Sequence, residues 1–392
     1  MTVNEDDARD TVSPSLVPGL AAPAVGFLEL FYDLVFVAAT MVLSNTFSKQ
    51  PTLESALTTA LVFTLLWLLW FHTTTLANVE RTDDFSHRAL VLVQMFLITL
   101  TVVAFANKET SDNDFLGLSY ALAVLVVAVM HHRAPRRQPS LRAWAMGRRN
   151  RLLLVAALVL ATTWMPDRYD DVAFVLAIVL LVAPSALGSG RRVPLPSVDV
   201  HHLVERAALL TLIMCGEAFV KVSLVASQGT IEWTDVLAMV VEFVGVFAVF
   251  FMYFDDIPRA GVRSGMARAE MWALAHLPLQ IGIVAVAVGI SKFIQVGQHE
   301  VHDEVSIIMG VGFGLVYGGL ALLGVLGQRT PVRPLTVLRL ASLAVTIVMA
   351  VLSWSVGWFT PAQMLMGLAG LAVVHAALAN RLLRSTTVPA GH

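Results

Sequence analysis

Residues 26–46, GFLELFYDLVFVAATMVLSNT, decide how the chain is read. From Phe27 onward the stretch is apolar for long enough to cross a bilayer, which takes about 20 residues of helix. It nevertheless carries two carboxylates, Glu29 and Asp33, four residues apart and so on one helix face. Ionisable side chains in spanning helices are costly and usually face a bundle interior or a water-filled path. The stretch therefore predicts a membrane helix whose polar face points into protein.

The rest of the sequence repeats the apolar pattern. Of 392 residues, 57% are hydrophobic and 14% charged, and the mean hydropathy is +0.75. That is far more apolar residue than one soluble core requires. Apolar runs occupy roughly 27–46, 53–76, 89–106, 114–131, 151–164, 171–187, 203–227, 234–254, 269–293, 304–326, 335–358 and 362–383, with no polar domain between them. The expected class is all-α, a polytopic helical membrane protein of about twelve spans. The fifth run is shorter than the ~17 residues a span usually needs, and the sixth contains Pro184, so these two are expected either to span or to form a re-entrant pair.

A net charge of -2 gives no sign of nucleic-acid binding, and the single cysteine, Cys215, excludes an internal disulfide. The acidic, proline-containing residues 1–26 lack the apolar segment of a cleavable signal and read as a disordered tail. Lys and Arg in alternate connections divide twenty against three, with the N- and C-terminal segments on the basic side. By the positive-inside rule both termini are cytoplasmic, and the basic stretch His131–Arg151 is a topology determinant.

The two halves resemble each other. The first helix opens F-L-E at Glu29 and the seventh L-V-E at Glu205, and the acidic-basic turns NVERTDDFSHR and YFDDIPRA follow the second and eighth. Two six-helix repeats are expected, 27–187 and 203–383, joined by a linker at 188–202 and followed by a tail at 384–392. Six is even, so the repeats share one orientation and the first and seventh helices take comparable positions.

Charges inside the runs are the candidate ion or proton sites: Glu29, Asp33, Glu205, Glu217, Glu242 and His276. Glu217 lies closest to the middle of its run, beyond the reach of an interface. Lys221 at i+4 is its expected partner. Arg81, Arg206 and Arg259 are candidate partners for Glu29 and Asp33. His276 and His375 read as hydrogen-bonded contacts between helices. Gly312, Gly314, Gly318 and Gly319 read as close helix packing. No P-loop, dinucleotide fingerprint, HExxH or CxxC pattern is present. Neither enzymatic activity nor a cofactor or metal is therefore expected, although histidine pairs occur at 131–132 and 201–202.

LELFYDLVFVAA at 28–39, NVERTDDFSHRALVLVQM at 78–95, ERAALLTLIMCGEAFV at 205–220, YFDDIPRA at 253–260 and HLPLQIGIVAVAVG at 276–289 together resemble the bacterial low temperature requirement A (LtrA) family. The resemblance covers nearly the whole chain and implies a bacterial inner-membrane protein named for a growth phenotype. The pattern L-E-x-F-x-D-x-V-F-x-x-A from Leu28 to Ala39 is also similar to the first-helix F-S-D signature of a lysosomal and bacterial potassium-channel family, with Tyr32 in place of Ser.

The leading expectation is movement of a small solute or ion across the lipid bilayer, with Glu29, Asp33 and Glu205 clustered at the cytoplasmic side and Glu217 near the midplane. The alternatives are a cation channel with the first and seventh helices at the pore, a non-transporting structural or sensory protein, and a membrane-embedded enzyme. The last would need His72, Arg81, Asp83, Asp255 and Arg259 to converge.

Overall fold

The computed structural model describes residues 25–80, 84–107, 114–165, 169–183, 195–228, 232–296, 303–327 and 333–387. Arg81, Asp83, most of both tails and residues 188–194 of the 188–202 linker lie outside these residues. The described residues form helices and no strand, with one isolated bridge between Val262 and Gly327.

Within the described residues, twelve helices follow one another in the order of the apolar runs. They are α1 (Phe27–Lys49), α2 (Leu53–Val79), α3 (Phe85–Ala106), α4 (Asp114–Arg137), α5 (Arg142–Thr162), α6 (Asp170–Val182), α7 (Val200–Ala226), α8 (Trp233–Phe254), α9 (Met266–Leu274, resumed as His276–Val296), α10 (Asp303–Leu326), α11 (Arg333–Val356) and α12 (Pro361–Thr387). A short turn of helix, Ile257–Ala260, continues α8. Ten of the twelve are long and apolar enough to cross a membrane. The other two are α5 and α6, the pair the sequence leaves open. α5 starts nine residues before its apolar run, so Arg142, Arg148, Arg149 and Arg151 stand within helix and not in a loop. α6 is the shortest of the twelve, at 13 residues.

Local sequence sets the helix starts. Glu29 reaches back to the Gly26 amide at 2.9 Å, Thr52 accepts from Ser55, Asp84 from His87 and Asp199 from His202, each satisfying a backbone donor that the first turn leaves free. The His87 amide, with Arg137 and Arg133 nearby, holds the Asp84 carboxyl below the usual carboxylate range. α9 breaks at Ala275, just before Pro278, whose missing N–H leaves the Leu274 carbonyl without a helical partner.

Polar contacts place the helix ends. The end of α2 meets the start of α7 through Asn78 and Asp199, and the start of α5 meets the start of α9 through Arg148 and Glu270. The start of α11 meets the end of α8 through Arg339 and Asp256, and Arg133 and Arg137 at the end of α4 reach Asp84 before α3. All these ends share the side from which α1 starts, called the N side here. The four exposed tryptophans, Trp164, Trp233, Trp354 and Trp358, lie at the ends of α5 and α11 or the start of α8, on the far side. Tryptophans commonly anchor membrane proteins at the lipid headgroup level. Between the two ends, large apolar side chains such as Phe96, Val179, Phe243, Val348 and Val374 are exposed, as lipid contact requires.

Packing follows the same order in each half. α1 packs on α2 and α3, α3 on α4, α4 on α5, α5 on α6 and α2 on α6. In turn α7 packs on α8 and α9, α9 on α10, α10 on α11, α11 on α12 and α8 on α12. The halves meet where α1 and α2 pack against α7 and α9.

α9 and α10 approach backbone to backbone. A Cβ at Gly282 would lie 2.7 Å from the Gly312 carbonyl oxygen, and one at Gly319 would lie 2.8 Å from the Leu279 amide nitrogen. Of the four glycines expected to mediate close packing, Gly312 and Gly319 stand at this contact. Gly314 makes ordinary contact with Leu343, and Gly318 faces open space. Gly282→Ala is therefore expected to lower stability by about 1–3 kcal/mol through overpacking against immovable backbone. Gly318→Ala is expected to be neutral or stabilising by up to about 1 kcal/mol. Thermal unfolding of the two variants in one detergent reads the difference.

Candidate functional site

α1 and α7 lie side by side at the centre of the protein, and their polar residues meet in a regular register. Glu29 meets His202, Asp33 meets Arg206 and Ser44 meets Glu217, each pair 173 residues apart. A constant offset over 15 positions means the two helices run parallel and in step. The seam between them holds two polar clusters.

The N-side cluster is built on Asp33, which is fully buried. Arg206 grips it bidentately, with both nitrogen-to-oxygen distances 2.8 Å, and the Trp70 indole donates to Oδ1 at 2.7 Å. The same guanidinium lies 3.4 Å from the Thr74 hydroxyl and 5.9 Å from the Trp70 ring centre. One turn nearer the surface, His202 Nε2 lies 3.2 Å from Glu29 Oε2. The Asn78 amide nitrogen approaches His202 Nδ1 at 3.3 Å and can only donate, so the neutral ring accepts there and donates from Nε2 to Glu29. Asn78 is fixed in turn by both backbone groups of Asp199.

The deep cluster gathers Ser44 and Asn45 of α1, Glu217 and Lys221 of α7, and Glu242 of α8. The Lys221 ammonium donates to Asn45 Oδ1 at 2.6 Å and to the Ser44 hydroxyl at 3.3 Å. It makes no direct ion pair with Glu217, its i,i+4 neighbour, but the two charges still interact, and both residues converge on Ser44. Glu217 Oε1 is 3.5 Å from the Ser44 hydroxyl, while Glu217 Oε2 and Glu242 Oε1 are buried without a hydrogen-bond partner. Unpaired buried carboxylate oxygens are expensive and call for a proton or a bound cation.

Side chains fill the space between the clusters. Phe36, Thr40, Leu43, Leu210 and Met214 are buried along the seam, and Trp67 Nε1 donates to Gln280 Oε1 at 2.6 Å while Gln280 donates on to Thr211. On the far side, Ser44 forms part of the wall of a cavity of about 830 Å³ between α1, α2, α9, α10 and α11.

The other expected site residues fall elsewhere. Glu205 is about one-third exposed, with His201 at 4.0 Å; its Oε2 is buried without a hydrogen-bond partner, and it does not join the Glu29 and Asp33 pairs. Arg259 pairs with Asp255 on the surface and reaches neither acid. His276 donates from Nδ1 to the Trp272 and Ala273 carbonyls and accepts from the Tyr253 hydroxyl at 2.9 Å. Ser342 lies 2.8 Å from His375 Nδ1. His72 lies between Arg148 and the Leu181 carbonyl and, like them, is not joined to Asp255 or Arg259. Among the described residues no group of three or more His, Cys, Asp or Glu is arranged to hold a metal.

Sequence reading passed over several members of these clusters. His202 appears in it only as one of two adjacent histidines, and Ser44 and Asn45 carry no formal charge. Arg148 and Arg339 count there as loop charges, yet both are buried inside helices and paired with Glu270 and Asp256. The missed signal was a spacing: each arginine is the seventh residue of its helix, the fifth of its half.

Ten helices long and apolar enough to cross a membrane among the described residues, around a buried polar seam, define a multi-pass α-helical membrane protein. The profile of the bacterial low temperature requirement A protein (LtrA) family matches residues 24–379, and the chain belongs to that family. It is also 27% identical over 289 residues to an uncharacterized protein of Rhizobium meliloti (strain 1021), an alignment covering 67% of this chain and 68% of the relative.

Proposed function

We propose that the protein moves a small solute or ion across the bacterial inner membrane, with Glu217 as the proton- or cation-binding carboxylate. The observation that carries this reading is the deep cluster: two buried carboxylates with unpartnered oxygens beside Ser44, which lines a cavity on the far side. The N side of the seam is closed by the Asp33–Arg206 pair and by the Trp67–Gln280 contact below it. A buried polar site shut off from the N side is what an alternating-access carrier presents in one of its two states. The apolar side chains packed between the clusters favour a carrier over a channel with α1 and α7 at its pore.

In this reading the two six-helix halves are repeats, supported by their matching order of helix packing and by the parallel register of α1 and α7. The N side is cytoplasmic, supported by the concentration of arginines there and of exposed tryptophans opposite. Purified protein in liposomes is expected to carry a proton- or cation-coupled flux that Glu217→Gln reduces to background without changing the unfolding temperature. Unchanged flux in that variant removes Glu217 from the mechanism.

A further inference from the structure

The cavity beside Ser44 is a site in its own right. Its volume of about 830 Å³ falls in the usual range for ligand pockets, roughly 300–1,000 Å³. Its walls are almost wholly apolar, formed by Ala60 and Phe63 of α2, Val284 and Val288 of α9, and Ile308 and Leu315 of α10. Leu53, Leu57, Val311, Val351 and Trp354 also line it and are exposed on the outer surface of a membrane protein, so its mouth opens sideways into the bilayer and not into water. One end is marked differently. Thr52, the exposed Glu304 and Trp354 stand at the far-side helix ends, at the level where headgroups meet tryptophans. From Thr52 to Phe63 the cavity follows α2 for about 16 Å at ~1.5 Å per residue, toward the middle of the membrane. An apolar cavity that opens toward lipid, with Ser44 and Thr59 as its inner polar residues and Thr52 and Glu304 at its headgroup end, has the polarity of one hydrocarbon chain in its ordinary bilayer orientation.

We propose that this cavity is a phospholipid site, holding one acyl chain of a far-leaflet lipid between α2, α9, α10 and α11 with its headgroup at Thr52, Glu304 and Trp354. The site does not depend on transport. A chain seated there covers the Ser44 wall and shields the deep cluster from the far side.

The test uses the full-length protein in phosphatidylethanolamine and phosphatidylglycerol vesicles containing a trace of phosphatidylethanolamine with a diazirine in one acyl chain. After illumination, peptide mapping is expected to find label on Phe63, Val284 or Val288, inside the slot, as well as on outward residues such as Phe96 and Val337. Ala56→Trp, which fills the slot, is expected to abolish the inner label and leave the outer label unchanged. Ala285→Phe serves as a second filling variant should the first fail to fold. Label confined to outward residues, or inner label that survives both substitutions, overturns the proposal. So does inner label obtained from a free photoreactive fatty acid but not from the phospholipid, or protection of the slot by a cross-linked second copy packed on α11.

Discussion

Arg206→Met is expected to cost about 3–5 kcal/mol, the penalty for stranding one member of a buried ion pair. Asp33 is fully buried, and without the guanidinium it keeps only the Trp70 indole as a donor. Asp33 has no accessible surface in the seam between α1, α2 and α7, so the variant should show a large fall in folded yield and unfolding temperature. The pair itself is a different quantity. Its desolvation roughly offsets its attraction, so the double variant Asp33→Leu, Arg206→Met should recover most of the lost stability. If the single variant proves as stable as the parent, the seam is wetter than its burial indicates. Flux measured on the stable double variant would then show whether the pair matters for closing the N side, separately from folding.

Arg148→Met is the second large effect, also about 3–5 kcal/mol. This arginine is buried at the start of α5 and pairs with Glu270 in the first segment of α9. It donates to His72 Nδ1 at 2.9 Å, and its guanidinium lies 5.2 Å from the Trp144 ring centre and 5.7 Å from that of Phe71. Because Arg148 can only donate, His72 must accept at Nδ1 and donate from Nε2 to the Leu181 carbonyl. One substitution therefore loosens α2, α5, α6 and α9 together, and it removes a tie between the first six helices and the last six. Arg259→Ala offers the contrast. Its partner Asp255 is 3.4 Å away at an exposed surface, and loss of such a pair is expected to change stability by less than about 1 kcal/mol.

Hydrophobic runs made the helices legible, because a span must be continuously apolar whatever it packs against. All twelve appear in order, and the two left open, α5 and α6, are the two that fall short by length or composition. The burial of Glu217 was legible because it lay too far along its run to reach an interface, whereas the full burial of Asp33, one turn from the helix start, was not. Their partners were harder to read. The i,i+4 rule suggested Lys221 for Glu217, but a neighbouring helix supplied Ser44 and Asn45 at shorter range. Spacing within one helix says nothing about what stands opposite. The arginines of α5 and α11 were hidden for a related reason: near a helix end, a charge that turns inward and one that turns to water look the same in sequence.

The shared register of α1 and α7 also limits how the seam can move. Glu29 and Asp33 are one helical turn apart, and Arg206 stands opposite the deeper of them. Sliding α7 by one turn, about 5.4 Å, toward the N side would carry Arg206 from Asp33 to Glu29. Intermediate positions leave the guanidinium opposite Tyr32, Phe31 or Leu30, with no carboxylate to grip. For such a slide the two acids would offer Arg206 two discrete stations, one helical turn apart, in place of a continuous glide.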